Sequence, residues 1–427
     1  MHATALAQLG SADRHELVID DLPASALAER FGTPLYAYSA STLDGRVAAV
    51  SAALGPRIEL LYSIKANPSL ALCARLFAAG VGAEVASLGE LHLARAAGAD
   101  AAALRFAGPA KTDVEIANAI ALGLGTFHAE SAREIDTIAD AARAAGRRVR
   151  IAIRVNLARG MPGARMRMSG RSSRFGIDAE QVPAAIRQVR RHAHLDLAGV
   201  HAYAGTQCFD AAAFVDHARA LVEAADAWQR ELDIPLDELD LGGGFGTALF
   251  AGDPEFDLAA AGRGLQDLLA AHDRPTRRWF VELGRYFTAP AGVYLTRVVA
   301  TKTSGGERHV VCDGGLHHCA APMGLGAVLR RSPVLVHAGR LHGPTVPQTL
   351  GGPLCTPLDQ FAAQCELPEF AVGDLLAVLQ AGAYGLSYSP NGFLSHATPA
   401  EVLVENGRAR LIRDRGDARD VLRGQRP

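Results

Sequence analysis

The sequence predicts an α/β chain built on a (β/α)8 barrel of the TIM type, followed by a mostly antiparallel β-domain. Two observations carry this. From about residue 58, eight short β-rich runs alternate with longer Ala/Leu-rich stretches of helical spacing; after residue 285 that periodicity fades. An open doubly wound sheet is the competing arrangement for the same alternation. The length of 427 residues suits two domains, or one large barrel with an appendage.

The strand candidates, in order, are 58–66, 82–87, 104–108, 126–130, 149–156, 197–205, 238–244 and 279–284. Between them, 88–98, 131–146 and 211–232 read as helices. Beyond residue 285, AGVYLTRVVATKT, ERHVVCDGG, VLVHAGRLHG and EFAVGDLLAVLQAG have the texture of antiparallel strands. The expected division is a barrel over 35–284 and a β-domain from 1–34 with 285–427. One insertion stands out between the fifth strand and its helix. It spans 158–174 and carries Arg159, Arg165, Arg167, Arg171 and Arg174.

Composition narrows the function. With 49% hydrophobic and 21% charged residues the chain is ordinary globular material. A formal net charge of -2 gives no reason to expect a nucleic acid or a membrane surface as partner. The cysteines Cys73, Cys208, Cys312, Cys319, Cys355 and Cys365 form no CxxC pair, so reduced thiols in a cytoplasmic protein are expected. The N-terminus has no basic start followed by an apolar core, and no apolar run approaches a membrane span.

Working residues of TIM barrels sit at the carboxyl ends of the strands. Here the first strand delivers Lys65 into an expected interior position, where it is either a salt-bridged lysine or a Schiff-base amine. The seventh ends in Gly242, Gly243 and Gly244, whose backbone N–H groups suit a phosphate cup, and Arg285 follows the eighth. Lysine, phosphate cup and barrel together suggest pyridoxal 5′-phosphate (PLP).

With these motifs the sequence resembles the fold-type III PLP decarboxylases, which include diaminopimelate, ornithine and arginine decarboxylases. The resemblance runs from LYSIKANPS (61–69) to GAYGLSYSPNGFLSHATPAEVLV (382–404). It implies that Lys65 bonds covalently to PLP, and that Glu84 and Arg154 support the cofactor site. It further implies that Gly242, Gly243, Gly244, Arg285 and Tyr384 bind the phosphate. Glu282 matches the glutamate set against the pyridine nitrogen, with Leu283 where relatives have proline. That carboxylate favours decarboxylation over racemisation, because the related alanine racemases place an arginine there.

Other positions depart from the family pattern. In HAYAGTQ (201–207), His201 matches the first of two histidines, Tyr203 replaces the second at the cofactor-stacking position, and Thr206 replaces a phosphate-binding serine. In GGPLCTPLD (351–359), Cys355 matches the thiol that reprotonates the α-carbon across a homodimer interface. Asp359 is retained there, but Thr356 replaces the acid that grips a distal amino group. The segment 313–319, which carries His317 and His318, corresponds to an N-D-x-x-R-P-like stretch of diaminopimelate enzymes and has neither its acid nor its arginine. Adjacent His317, His318 and Cys319 are poorly placed to converge on one ion, so no metal is expected.

These departures resemble a branch of the family found in siderophore, secondary-metabolite and exopolysaccharide pathways. Some of its members act on conjugated amino acids or on amino acids held by an acyl-carrier protein. The expected activity is therefore decarboxylation of a small-molecule amino acid, free, conjugated or carrier-linked. Diaminopimelate decarboxylation is the alternative, ahead of an amino-acid racemase or a PLP-free regulatory homologue. The arginine-rich insertion reads either as a lid or docking strip for an anionic substrate or carrier, or as a solvated mobile loop.

Overall fold

The computed structural model describes residues 2–12, 14–158, 160–170, 172–250, 252–323 and 331–427. Two compact units emerge, one from 47–247 with 255–286 and the other from 1–46, 248–254 and 287–427.

The first unit is a closed parallel barrel. Its strands are β1 (Ile58–Ser63), β2 (Gly82–Val85), β3 (Leu104–Phe106), β4 (Thr126–Ala129), β5 (Val149–Asn156), β6 (Leu195–His201), β7 (Glu238–Gly243) and β8 (Arg278–Leu283). Each pairs with the next in sequence, and β8 pairs with β1, so no edge is left open. Closure decides against the open doubly wound sheet.

Short side chains start the surrounding helices. Ser87, Thr112, Ser131, Asp210 and Asp257 each accept a backbone N–H of the helix that follows, which satisfies donors the first turn leaves orphaned. The helix Val182–Arg191 buries Val182, Ala185, Ile186 and Val189, a spacing that lays one apolar stripe on the strands.

Alternation along the strands sorts the lumen from the helix layer. On β7, Leu239 and Leu241 alternate with Glu238 and Asp240, and all four are buried. The lumen side is unusually polar. At the amino ends of the strands, Glu238 Oε1 accepts from Arg105, Arg150 and Arg278 at 3.3, 2.8 and 3.0 Å. The guanidinium carbon of Arg105 also lies 3.6 Å from the Phe280 ring centroid.

The second unit is a mostly antiparallel sheet. Its longest strand, Gly292–Ser304, pairs antiparallel with Glu307–Cys312, Leu375–Val378 and Leu35–Ser39. Two pairings are parallel, Ala400–Glu405 on Leu35–Ser39 and Glu307–Cys312 on Thr345–Gly351. Leu35–Ser39, placed with the barrel in the sequence reading, thus lies inside this sheet, because its five residues are all buried there between two partner strands. Leu17, Ile19, Ala24 and Leu27 of the N-terminal segment join Leu295, Val336, Ala377 and Val402 in this unit's core.

Removing the Glu238 carboxylate leaves Arg105 buried with no countercharge in direct contact. Glu238→Ala is expected to destabilise the protein by about 3 kcal/mol or more, measured as a lower urea midpoint of the barrel transition.

Candidate active site

Strand β1 stops at Ser63, and Lys65 sits on the single turn Ile64–Ala66 with 41% of its side chain exposed. The interior position expected for it is therefore corrected: the ammonium stands at the open rim. Asn67 and Pro68 lift the chain off the barrel. Tyr62 donates to the Asn67 carbonyl (2.9 Å), and Asn67 Oδ1 accepts from Ser69 N (3.1 Å). Lys65 Nζ donates to both carboxylate oxygens of buried Glu84, at 2.9 and 2.7 Å, and lies 5.9 Å from the Tyr203 ring centroid.

The end of β8 presses against this turn. A Cβ on Gly284 would come within 2.8 Å of the Ala66 side chain, so only glycine lets Glu282 and Arg285 flank the lysine turn so closely. The end of β7 is tighter still. A Cβ on Gly242, Gly243 or Gly244 would fall 2.4, 1.8 or 2.0 Å from the carbonyl oxygens of Ala202, Glu282 and Gly205, respectively. Gly242 and Gly244 also have φ of 64° and 93°. The triplet is thus obligatory before any ligand is considered.

Beneath the rim, Glu282 is buried and its Oε1 has no hydrogen-bond partner among the described residues. His201 Nε2 lies 3.4 Å from Glu282 Oε2. Burial, then the neighbouring Arg154 charge, holds the His201 imidazole well below its ordinary pKa, so the ring is neutral. Its stacking partner is His128, 4.3 Å away with planes 22° apart, and it is likewise pushed well down by burial. Asp240 completes the floor: its Oδ1 accepts from Gly242 N (3.1 Å) and its Oδ2 lies 3.9 Å from His128 Nε2.

Sequence reasoning missed His128 and Asp240. The available signal was alternation, since both occupy strand positions facing the lumen beside His201, the Cα partner of Asp240. The donor atoms of His128, His201, Asp240 and Glu282 lie within 4.8 Å of one another. Stacked imidazoles direct their lone pairs side by side, which disfavours convergence on one metal ion.

Arg154 donates to Glu130 Oε1 (2.8 Å), and Glu130 also accepts from Gly108 N and Gly176 N at 2.7 and 3.1 Å. This arginine ties strand ends together. Thr206 pairs with Met166 in a two-residue ribbon, so the insertion is bonded to the strand-six loop; Arg165 N and Met168 N donate to Thr206 O and Ala204 O. Arg165 and Arg174 are exposed, and each lies 4.9 Å from a phenylalanine ring centroid, Phe209 and Phe175 respectively. Arg159 and Arg171 lie outside the described residues, as does the side chain of Arg167.

Cys355, Thr356, Asp359, His317, His318 and Tyr384 belong to the sheet unit. Cys355 is exposed, which excludes the plain core role open to most cysteines. Tyr384 has φ of 53° and its ring lies 6.3 Å from that of Tyr388. Asp359 is buried, with Oδ1 accepting from Leu316 N (2.6 Å) and Oδ2 from Leu354 N (2.8 Å). It therefore clasps two loops, and it leaves little of its carboxylate for a substrate. His317 and His318 are buried, with ring centroids 3.7 Å apart; burial pushes them down to about 4 and about 3.

A parallel barrel with an amine at one strand end, a glycine-bound turn beside it and a buried carboxylate on its floor with one oxygen unbonded among the described residues defines the PLP-binding barrels. A protonated pyridine nitrogen is the donor Glu282 Oε1 lacks, so the residues fit the cofactor. Residues 41–289 match the family described as pyridoxal-dependent decarboxylase, pyridoxal binding domain. The chain is 36% identical over 417 residues to L-glutamyl-[BtrI acyl-carrier protein] decarboxylase of Niallia circulans, covering 95% of this chain and 97% of that protein. It is 32% identical over 414 residues to diaminopimelate decarboxylase of Aquifex aeolicus, covering 94% and 93%. The crystal structure of diaminopimelate decarboxylase from M. jannaschii in complex with L-lysine superposes with a TM-score of 0.89 at 26% identity, covering 97% of each chain. This chain belongs to the fold-type III PLP-dependent decarboxylase family and is a PLP-dependent amino-acid decarboxylase. Among the described residues, no helix is long and apolar enough to cross a membrane.

Glu90, beside Glu84, accepts from Ala86 N (2.7 Å), and burial pushes its carboxyl up to about 7. A raised carboxyl stabilises the fold below the ordinary carboxylate range and loses that contribution as pH rises through about 7. In the cofactor-free protein, Glu90→Gln should raise the unfolding temperature at pH about 8 more than at pH about 5. Thermal melts across that range check this.

Proposed function

We propose that the enzyme decarboxylates an α-amino acid carried on an acyl-carrier protein. The observation that carries this reading is the full-length 36% identity to a decarboxylase named for a glutamyl group on such a carrier. Two features support it. Thr356 stands where an acid would hold a distal amine, so a free diamino acid lacks its grip. The insertion is bonded to the strand-six loop through its ribbon, with Arg165 N donating to Thr206 O, and its exposed Arg165 and Arg174 offer cationic groups suited to an acidic carrier.

In this reading Lys65 would hold PLP covalently, and Glu84, which accepts from Lys65 Nζ, would orient the amine and exchange its proton. The N–H groups of Gly243 and Gly244, with Arg285 and Thr206, would bind the PLP phosphate, Gly242 N being already given to Asp240 Oδ1, and Tyr203 would stack on the PLP ring. Bound PLP supplies an electron sink for the carbanion left as CO2 departs. Glu282 holds the proton on the ring nitrogen, and neutral His201 beside it adds no competing charge. Arg154 positions Glu130 and the strand ends. Exposed Cys355 returns a proton to the α-carbon in a cytoplasmic homodimer, where a second subunit completes the site. His317, His318 and Thr356 face the substrate, and Asp359 sets the loops that carry them.

Lys65→Ala is expected to remove the borohydride-sensitive PLP absorbance together with CO2 release; retained turnover would sink the assignment. Cys355→Ala is expected to lower kcat by about 100-fold with PLP affinity unchanged, read by single-turnover kinetics and cofactor titration. CO2 release should be compared for glutamyl-loaded carrier, free glutamate and free diaminopimelate. Turnover of diaminopimelate alone would install the lysine-forming reading instead. Arg165→Glu with Arg174→Glu should raise KM for loaded carrier about tenfold, with kcat little changed.

A further inference from the structure

The mechanism above uses Glu282 and leaves Asp240 and His128 unassigned. Both are buried, on strands β7 and β4, and meet Glu282 and His201 across the lumen. Asp240 Oδ1 is bonded to Gly242 N, so Oδ2 is the oxygen turned to the cluster, and among the described residues it accepts no N–H or O–H hydrogen bond, while a hydrogen bond with the Glu282 carboxylate helps raise its carboxyl. Glu282 Oε1 likewise accepts none among the described residues. Two buried carboxylates within 4.8 Å repel strongly if both are ionised. The cations around them are ion-paired to other carboxylates: Arg105 to Glu238, Arg154 to Glu130, and Lys65 to Glu84; the Arg105 charge also reaches Asp240, but it counts for less there than burial and Glu282.

We propose that Asp240 is a positioning residue: it keeps a proton on Oδ2 and shares it with Glu282, so that the pair presents a single negative charge to the pyridine nitrogen of PLP. The proposal rests on the reading of Glu282 given above. In proton terms the cofactor-free pair holds one proton, and that proton stays on the pair when a protonated ring nitrogen docks against Glu282. His128 packs over the pair as a neutral ring and caps it from water. Through Gly242 N, Asp240 also couples the floor to the glycine turn above.

Burial first, and then the Glu282 carboxylate, push the Asp240 carboxyl well above its usual range. The groups facing it are Glu282 on β8, His201 on β6, His128 on β4 and Arg105 on β3, with Glu238 one inward position below on β7. A raised carboxyl contributes stability at low pH and loses it as pH rises, so at neutral pH wild-type Asp240 holds the fold back. An asparagine keeps the acceptor for Gly242 N and donates permanently to Glu282, as the protonated acid does.

The test compares wild type, Asp240→Asn and Asp240→Leu. In the cofactor-free protein, Asp240→Asn should melt about 2 °C or more above wild type at pH about 8, the gap closing toward pH about 4. The other titrating groups are common to both proteins and cancel in the difference. An asparagine variant less stable than wild type at pH about 8 would show an ionised, paired Asp240 and overturn the proposal. With PLP added, Asp240→Asn should keep the wild-type affinity and the pH midpoint of the cofactor absorbance, whereas Asp240→Leu should shift that midpoint. A shift of equal size in both variants would overturn it. Stoichiometric zinc retained by wild type and lost in Asp240→Asn would overturn it as well. Should Glu282→Gln leave PLP affinity and spectrum intact, the reading of Glu282 fails while the melting comparison still judges proton sharing.

Discussion

Much of this molecule follows from one constraint: a carboxylate, Glu282, buried on the floor of a closed barrel. Ordinary barrels fill that space with branched aliphatic layers. Here the floor is built from groups that must be neutral, shared or paired, because an isolated buried charge costs far more than the fold can supply. The ion pairs Arg105–Glu238 and Arg154–Glu130 bracket it in space. The stacked imidazoles of His128 and His201 fill it without adding charge. In the function proposed above, the PLP ring nitrogen would be the donor that Glu282 Oε1 lacks among the described residues.

The same constraint explains the crowding of strands six to eight at their carboxyl ends. Gly243 admits the Glu282 carbonyl and Gly242 admits that of Ala202, so these strand ends converge more closely than side chains allow. Convergence gathers the glycine turn and Glu282 at the strand ends near the turn that carries Lys65. The glycines serve geometry first, and N–H donation to a ligand is a by-product of that geometry.

Alternating β and helical runs were enough to read eight barrel strands, and YSIKAN, LGGG and ELGR were enough to read the chemistry. Helix starts were legible because Ser87, Thr112 and Ser131 are residues that cap. Three things were not legible. The exposure of Lys65 depends on where a strand lifts off, and Asn67 with Pro68 decides that over two residues. His128 and Asp240 look like any polar residues in a strand until closure brings β4 and β7 face to face. Leu35–Ser39 reads equally well as a barrel or a sheet strand, and only its partners decide.

Asp359 carries a consequence of a different kind. Its two oxygens bind Leu316 N and Leu354 N, and a Cβ on Gly315 or Gly352 would collide with that carboxylate. The segment bearing His317 and His318 and the one bearing Cys355 are thus riveted into a single rigid plate. Evolution, or an engineer, that reshapes the histidine loop for a new side chain also displaces the thiol. Under the roles proposed for His317, His318 and Cys355, selectivity and proton delivery would change together.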